Sequence, residues 1–308
     1  MYLSHKNRNK DIPMKSLFVG HSYIDISFQT PALPLNDTKI RGGKYALSLG
    51  GNSVVGGICS ARLGGTPEFL VPLADDELGY LAKELYAKEK VKFFVRPVGR
   101  TSLAVILPNG SKRGIMLADD YSYLAPAPEV NISDYTIVHF DGHMPEVTLK
   151  LAQEARTYGV TTSLDAGTIR TNTHEVLPYM DVVVASKHFC EQLNLSHDDT
   201  LRYLIDKGAK VAAVTLGEQG VRFIEDGKLQ SIDSIPVAHV VDSAGAGDTF
   251  HGAYVHSVTA HPNWSYRQHF QFARVVSALQ IQKLGTVSAL PSAVEVEALL
   301  KKYPVDKQ

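Results

Sequence analysis

Two cysteines, Cys59 and Cys190, are all that 308 residues contain. Two thiols build neither a disulfide framework nor a thiolate metal cluster, and they fit a reduced, cytoplasmic protein. No uncharged apolar run approaches the roughly 18 residues of a membrane span. Residues 1–14 are polar and lack the apolar stretch of a secretory signal, so neither a membrane nor a secretion route is expected. Neither sign of charge prevails: 31 Lys and Arg stand against 32 Asp and Glu, a formal charge of −1. Nucleic-acid binders usually carry a clear basic excess, so that partner class is disfavoured. Internal repeats and low-complexity segments are missing too. The 12 histidines form no His-Glu-x-x-His pattern, and His188 and Cys190, two apart on a helical stretch, do not share a face.

What remains is an ordinary globular composition, with 44% apolar and 20% charged residues. The length is near the limit for one hydrophobic core, which points to one large domain with an appendage. Residues 1–14 read as a flexible tail and 15–308 as the folded domain. Strand-like runs at 16–19, 135–140, 161–164, 181–185 and 212–216 alternate with helical patterns at 76–88, 145–158, 187–193 and 200–207. That alternation predicts an α/β fold: a mostly parallel central sheet covered by helices on both faces. Ligands in such sheets bind beyond the carboxyl ends of the strands. One segment breaks the pattern. Runs at 101–107 and 113–117 flank Pro108-Asn109-Gly110-Ser111, a hairpin signal because Asn-Gly suits a type I′ turn. With the extended stretch 24–47, it reads as a small β-layer outside the main sheet, the lid being about 24–47 and 98–122; a plain edge hairpin is the alternative. Asp226-Gly227 marks a second hairpin at the sheet edge.

The strongest chemical signal is Asp242-Ser243-Ala244-Gly245-Ala246-Gly247-Asp248-Thr249-Phe250-His251-Gly252-Ala253. It follows a β-like run at 235–241 and opens a helix. Unpaired N–H groups and the helix dipole make such a loop an anion site suited to phosphate. A carboxylate inside it, Asp248, is out of place in a pure phosphate cradle. It reads either as a base that takes a hydroxyl proton or as an N-cap. The spacing matches neither G-x-G-x-x-G nor G-x-x-x-x-G-K-[ST]. The second signal is Gly50-Gly51-Asn52-Ser53 followed by small residues to Gly64. It reads as a glycine turn opening a helix, with Asn52 able to read hydroxyls, or as a helix made small for close packing.

Together these segments resemble the two signature regions of the ribokinase-like (PfkB) carbohydrate kinase family, with Ser243 in place of a usual Thr. The resemblance covers residues 15 to about 300. It implies a three-layer α/β/α core with a small β-sheet lid, and transfer of the γ-phosphoryl of ATP to a sugar hydroxyl. On it, Asp248 is the catalytic base and Ala244, Gly245, Ala246 and Gly247 form the anion hole. Asp25, Gly51 and Asn52 contact the sugar, and His143, beside Asp141, is a further candidate. Thr215, Gly217 and Gly220 match a nucleotide-binding turn, and the helix at 266–284 flanks the adenine with Ser277. Mg²⁺ comes with ATP; Asp242 and Ser288 are candidates for a monovalent cation such as K⁺. The lid implies a homodimer.

The departures are specific. Ser186-Lys187-His188-Phe189 stands where the family often has Asn-x-x-Glu, Asp165 to Arg170 is a loose Asp-x-x-x-Arg, and Val55 replaces a polar contact. The surroundings of Ser186 and of His139 to His143 resemble ketohexokinase-like and sulfofructose-kinase-like members more than ribokinase, which leans toward a ketose. Tyr23, Phe28 and Tyr121 keep a nucleoside acceptor open. A non-catalytic sugar or nucleotide sensor would not need Asp248.

Overall fold

Leu17-Phe18-Val19 and Val182-Val183-Val184 are apolar at every position, as strands covered on both faces require. A computed structural model describes residues 15–30, 39–109 and 112–306. Its strands are β1 (Lys15–Val19), β2 (Tyr23–Phe28), β3 (Tyr45–Gly50), β4 (Thr66–Leu73), β5 (Lys92–Pro97), β6 (Ser102–Asn109), β7 (Lys112–Ala118), β8 (Ile137–Phe140), β9 (Thr161–Ala166), β10 (Val182–Ser186), β11 (Val211–Thr215), β12 (Val221–Glu225) and β13 (Lys228–Ile232). Its helices are α1 (Asn52–Arg62), α2 (Glu77–Lys88), α3 (Pro145–Tyr158), α4 (Thr173–Val176), α5 (Lys187–Leu193), α6 (His197–Asp206), α7 (Ala246–Ala260), α8 (Tyr266–Gln280) and α9 (Ala293–Leu300).

Nine strands form the main sheet in the order β13-β12-β11-β10-β9-β8-β1-β4-β5. From β5 to β11 every neighbouring pair is parallel, and β12 and β13 close one edge antiparallel. Alternate residues of β1 serve opposite cores. Phe18 packs with α1, α7 and α8, whereas Leu17 and Val19 pack with α3, α5 and α6. Four strands, β3-β2-β6-β7, form the separate small sheet. The expected α/β/α core and outer β-layer are therefore present. The expected tail, residues 31–38 of the lid and the Gly110-Ser111 tip lie outside the described residues.

Helix ends follow local chemistry. Pro145 opens α3, and Gly159, at φ 67°, ends it. Capping boxes start α8 (Ser265 with Gln268) and α9 (Ser292 with Glu295). α6 begins at His197, earlier than the expected residue 200, because Ser196 caps it through the Asp199 N–H. Residues 235–241 are not a strand: the Val241 N–H donates to the Ile281 carbonyl at the end of α8, 2.9 Å away, so no sheet neighbour receives it. α8 ends at Gln280, before the expected 284. None of the helices among the described residues is long and apolar enough to cross a membrane.

Candidate active site

Both glycine-rich segments become helix N-termini, and one contact brings them together. A Cβ on Gly252 of α7 would lie 2.0 Å from the Gly56 carbonyl oxygen of α1. The backbones of the two helices touch there, which explains the small residues in both motifs. Gly51 precedes α1 with φ 100°, and a Cβ on it would sit 2.1 Å from the His21 carbonyl oxygen. Only glycine fits that turn. Asn52 is consequently the first residue of α1.

At α7 the N-cap is Gly245, and Asp248 lies in the first turn. Asp248 is therefore not the N-cap, the alternative considered from sequence. The first N–H groups of a helix have no intrahelical acceptor. Gly247 faces open space: among the described residues nothing comes within 4 Å of where a Cβ would stand. The loop ahead of the helix is braced. Asp242 Oδ1 accepts the Ala244 N–H at 2.9 Å, and its Oδ2 accepts the Gly285 N–H at 3.0 Å. Gln280 Nε2 donates to the carbonyls of Ala244 (2.7 Å) and Gly285 (3.1 Å), and Ser277 Oγ donates to the Ala246 carbonyl at 3.0 Å. Ser288 Oγ donates to the Leu284 carbonyl at 3.1 Å.

Asp25, in the stretch expected to form the outer β-layer, lies within β2 of the small sheet, paired with Ser48 and Ala104. It is 4% exposed. Thr286 Oγ1 donates to its Oδ2 at 2.8 Å. Burial pushes its pKa up to about 6; the Thr286 bond opposes this, and the Asp242 charge adds to it. Thr286 follows Gly285, so a short path joins the loop braced by Asp242 to the small sheet. Sequence reasoning missed Thr286 and Gln280, since neither lies in a recognisable motif.

Asp141 directly follows β8. Its Oδ2 accepts the backbone N–H groups of His21 (3.0 Å) and Ser53 (3.3 Å). Its Oδ1 accepts the His143 N–H (3.1 Å) and faces His143 Nδ1 at 2.9 Å. Burial opposes the charge, but His143 and Arg170 hold this carboxyl well below the usual range. His143 stacks on Tyr121, centroids 6.0 Å apart and planes 12° apart. His21 packs against Tyr23, Tyr121 and His143. Burial, chiefly, lowers the pKa of His21 to about 4. Asn52 Nδ2 donates to Asp165 Oδ2 at 2.8 Å.

Asp25, Gly51, Asn52, His143 and the α7 loop thus surround the carboxyl ends of β1, β8 and β9. The expected nucleotide turn is elsewhere on the same edge. Thr215 ends β11, four strands from β1, or about 19 Å at the usual strand spacing. Gly217 and Gly220 follow it with φ 60° and 81°. Ser186, in place of the family Asn, caps α5 through the Phe189 N–H and donates to the Gly167 carbonyl at 2.7 Å. Glu191 turns to the surface beside His188, 3.5 Å away. Among the described residues no cluster of three or more His, Cys, Asp or Glu is placed to hold a metal ion. Cys59 and Cys190 are both buried free thiols.

A family model described as "pfkB family carbohydrate kinase" matches residues 14–293. Ribokinase of Lactococcus lactis is 27% identical over 300 residues, 94% of this chain and 97% of that protein. Aminoimidazole riboside kinase of Salmonella typhimurium is 24% identical over 289 residues, 84% of this chain and 90% of that protein. The structure of Arabidopsis thaliana ribokinase complexed with ribose and ATP superposes with a TM-score of 0.78 at 23% identity, over 94% of this chain and 99% of that one. The fold is that of the ribokinases.

Proposed function

The chain belongs to the pfkB family of carbohydrate kinases, and on that premise we propose that it transfers the γ-phosphoryl of ATP to a hydroxyl of a small sugar in the cytoplasm. The observation that carries this reading is the packing of α7 against α1 at Gly252 and Gly56, soon after both helices begin. One carries Asp248 in its first turn, just after the braced loop, and the other begins at Asn52, two residues after Gly50, where a Cβ would lie 2.0 Å from Asp25 Oδ1. Asp25 and Asn52 bind the sugar hydroxyls, with Gly51 permitting their close approach and His143 lining the same end. Asp248 accepts the proton of the attacking hydroxyl. The α7 N-terminus, through Ala244, Gly245, Ala246 and Gly247, stabilises charge on the transferred phosphoryl. Thr215, Gly217 and Gly220 hold the nucleotide end of ATP, with Ser277 fixing the α7 loop.

Mg²⁺ would come with ATP, held by the phosphates and water, and would offset charge on the phosphates. Each Asp242 oxygen accepts one N–H, and a carboxylate has about four acceptor positions, so Asp242 retains capacity for K⁺ beside its bracing role. Closure of the small sheet excludes water. Its outer face carries Tyr45, Leu47 and Met116, which are 70%, 41% and 59% exposed, and that face pairs two copies in the homodimer. A nucleoside acceptor is the second reading, favoured by the half-exposed Tyr121 ring stacked on His143.

The experiment is acceptor-dependent ADP release from Mg-ATP, with and without K⁺. The acceptors are ribose, fructose, tagatose, sulfofructose, 2-keto-3-deoxygluconate, fructose phosphates, adenosine and inosine. Stimulation by a sugar supports the reading, stimulation by adenosine or inosine alone replaces it with the nucleoside one, and silence throughout contradicts both.

A further inference from the structure

We infer that His251 and Asp165 are positioning residues that orient the Asn52 amide, so that it offers its carbonyl oxygen to the acceptor. The inference rests on the reading of Asn52 as an acceptor contact and says how that contact is set.

His251 stands three residues after Asp248 on α7, so the two lie on one face of the helix. His251 Nε2 is 3.4 Å from Asp165 Oδ1, and the two side chains are only 5% and 7% exposed. The other carboxylate oxygen takes the Asn52 Nδ2 donor at 2.8 Å. Asp165 therefore bridges the helix that carries Asp248 and the helix that begins with Asn52. Burial opposes its charge, but His251 and the Asn52 bond outweigh it and hold the carboxyl below its ordinary range.

An ionised carboxylate only accepts hydrogen bonds. It therefore selects the NH₂ end of the amide and leaves Asn52 Oδ1 on the side away from Asp165. The site then presents two fixed acceptors, the Asp25 carboxylate and the Asn52 carbonyl, which suits an acceptor that donates through neighbouring hydroxyls. His251 fixes Asp165 in turn. With its proton on Nε2, it donates to Oδ1 and stops the carboxylate rotating.

The ring behind it is held as well. His139 lies 5.0 Å from His251, centroid to centroid, and pairs through Nδ1 with Ser163 Oγ at 2.8 Å. Ser163 is also hydrogen-bonded to the Tyr254 hydroxyl. Among the described residues, His139 Nε2 and His251 Nδ1 are buried and meet no hydrogen-bond partner. Such polar groups are costly in a core that needs only packing. Neither the anion loop nor the acceptor reading gives His251 a role, whereas its other ring nitrogen, Nε2, faces Asp165 and can orient it.

The test compares wild type, Asn52→Ala, His251→Phe, His251→Gln and the Asn52→Ala/His251→Phe double variant. It measures acceptor KM, ATP KM and kcat, with ribose and fructose in parallel, and the melting temperature of each. Asn52→Ala and His251→Phe are each expected to raise acceptor KM ~3–10-fold, the loss of one neutral hydrogen bond, with ATP KM unchanged. The double variant is expected to match Asn52→Ala alone. His251→Gln, whose amide N–H can replace the Nε2 donor, is expected to restore the wild-type acceptor KM. The inference is overturned if the two effects multiply in the double variant, or if His251→Phe lowers only the melting temperature. An unchanged acceptor KM in Asn52→Ala overturns the acceptor reading itself, and the positioning role with it.

Discussion

Asp25→Asn is expected to stabilise the protein while impairing it. The Asp25 carboxyl is 4% exposed, and burial raises its pKa from 3.8 to about 6. A shift of about two units corresponds to about 3 kcal/mol of cost for holding the charge in the folded state. The sign follows from proton counts. Between the unfolded value near 4 and the folded value near 6, the folded protein binds more protons, so this contribution to stability falls as pH rises. Below that window the group is neutral in both states and costs nothing. Asparagine removes the charge but keeps the shape and a partner for Thr286. The variant should exceed wild type by about 1–3 kcal/mol at pH 8, allowing for the weaker Thr286 bond, and by little or nothing at pH 4. Urea unfolding of both proteins at the two pH values measures the difference. Acceptor KM should rise in the same variant, because an amide cannot receive two hydroxyl donors as a carboxylate does. A pH-independent loss of stability would refute the reasoning, since it would mean that Asp25 is stabilising as an anion.

Thr286→Val removes the hydrogen bond that opposes this shift. The acid limb of kcat/KM should then move to higher pH by about one unit, read from a pH–rate profile. Gly252→Ala should destabilise by ~1–3 kcal/mol or more, since the added methyl meets the Gly56 backbone and not a flexible side chain; thermal unfolding checks it.

The parallel sheet was legible because its strands are uniformly apolar and alternate with capped helices. β4 and β5 escaped notice. Pro67 and Pro72 argue against a central strand, yet β4 lies between β1 and β5; both prolines sit close to strand ends. The strand expected at 235–241 failed for the opposite reason, since its β-like composition meets a helix end and not a strand. At the site, the motifs announced Asp248, Gly51 and Asn52 because small residues at helix starts have a local cause. Thr286, Gln280 and the His251–Asp165 contact had none. They act across 261, 36 and 86 residues of sequence respectively, and only the packing of the two sheets and of α7 brings them to their partners.

The central claim is that Asp248 is the base for phosphoryl transfer. It is tested most directly by Asp248→Asn, with acceptor-stimulated ADP release and ATP binding measured on the same preparation. The account predicts a fall in kcat of ~10²-fold or more with ATP affinity unchanged. Wild-type turnover in the variant would contradict it.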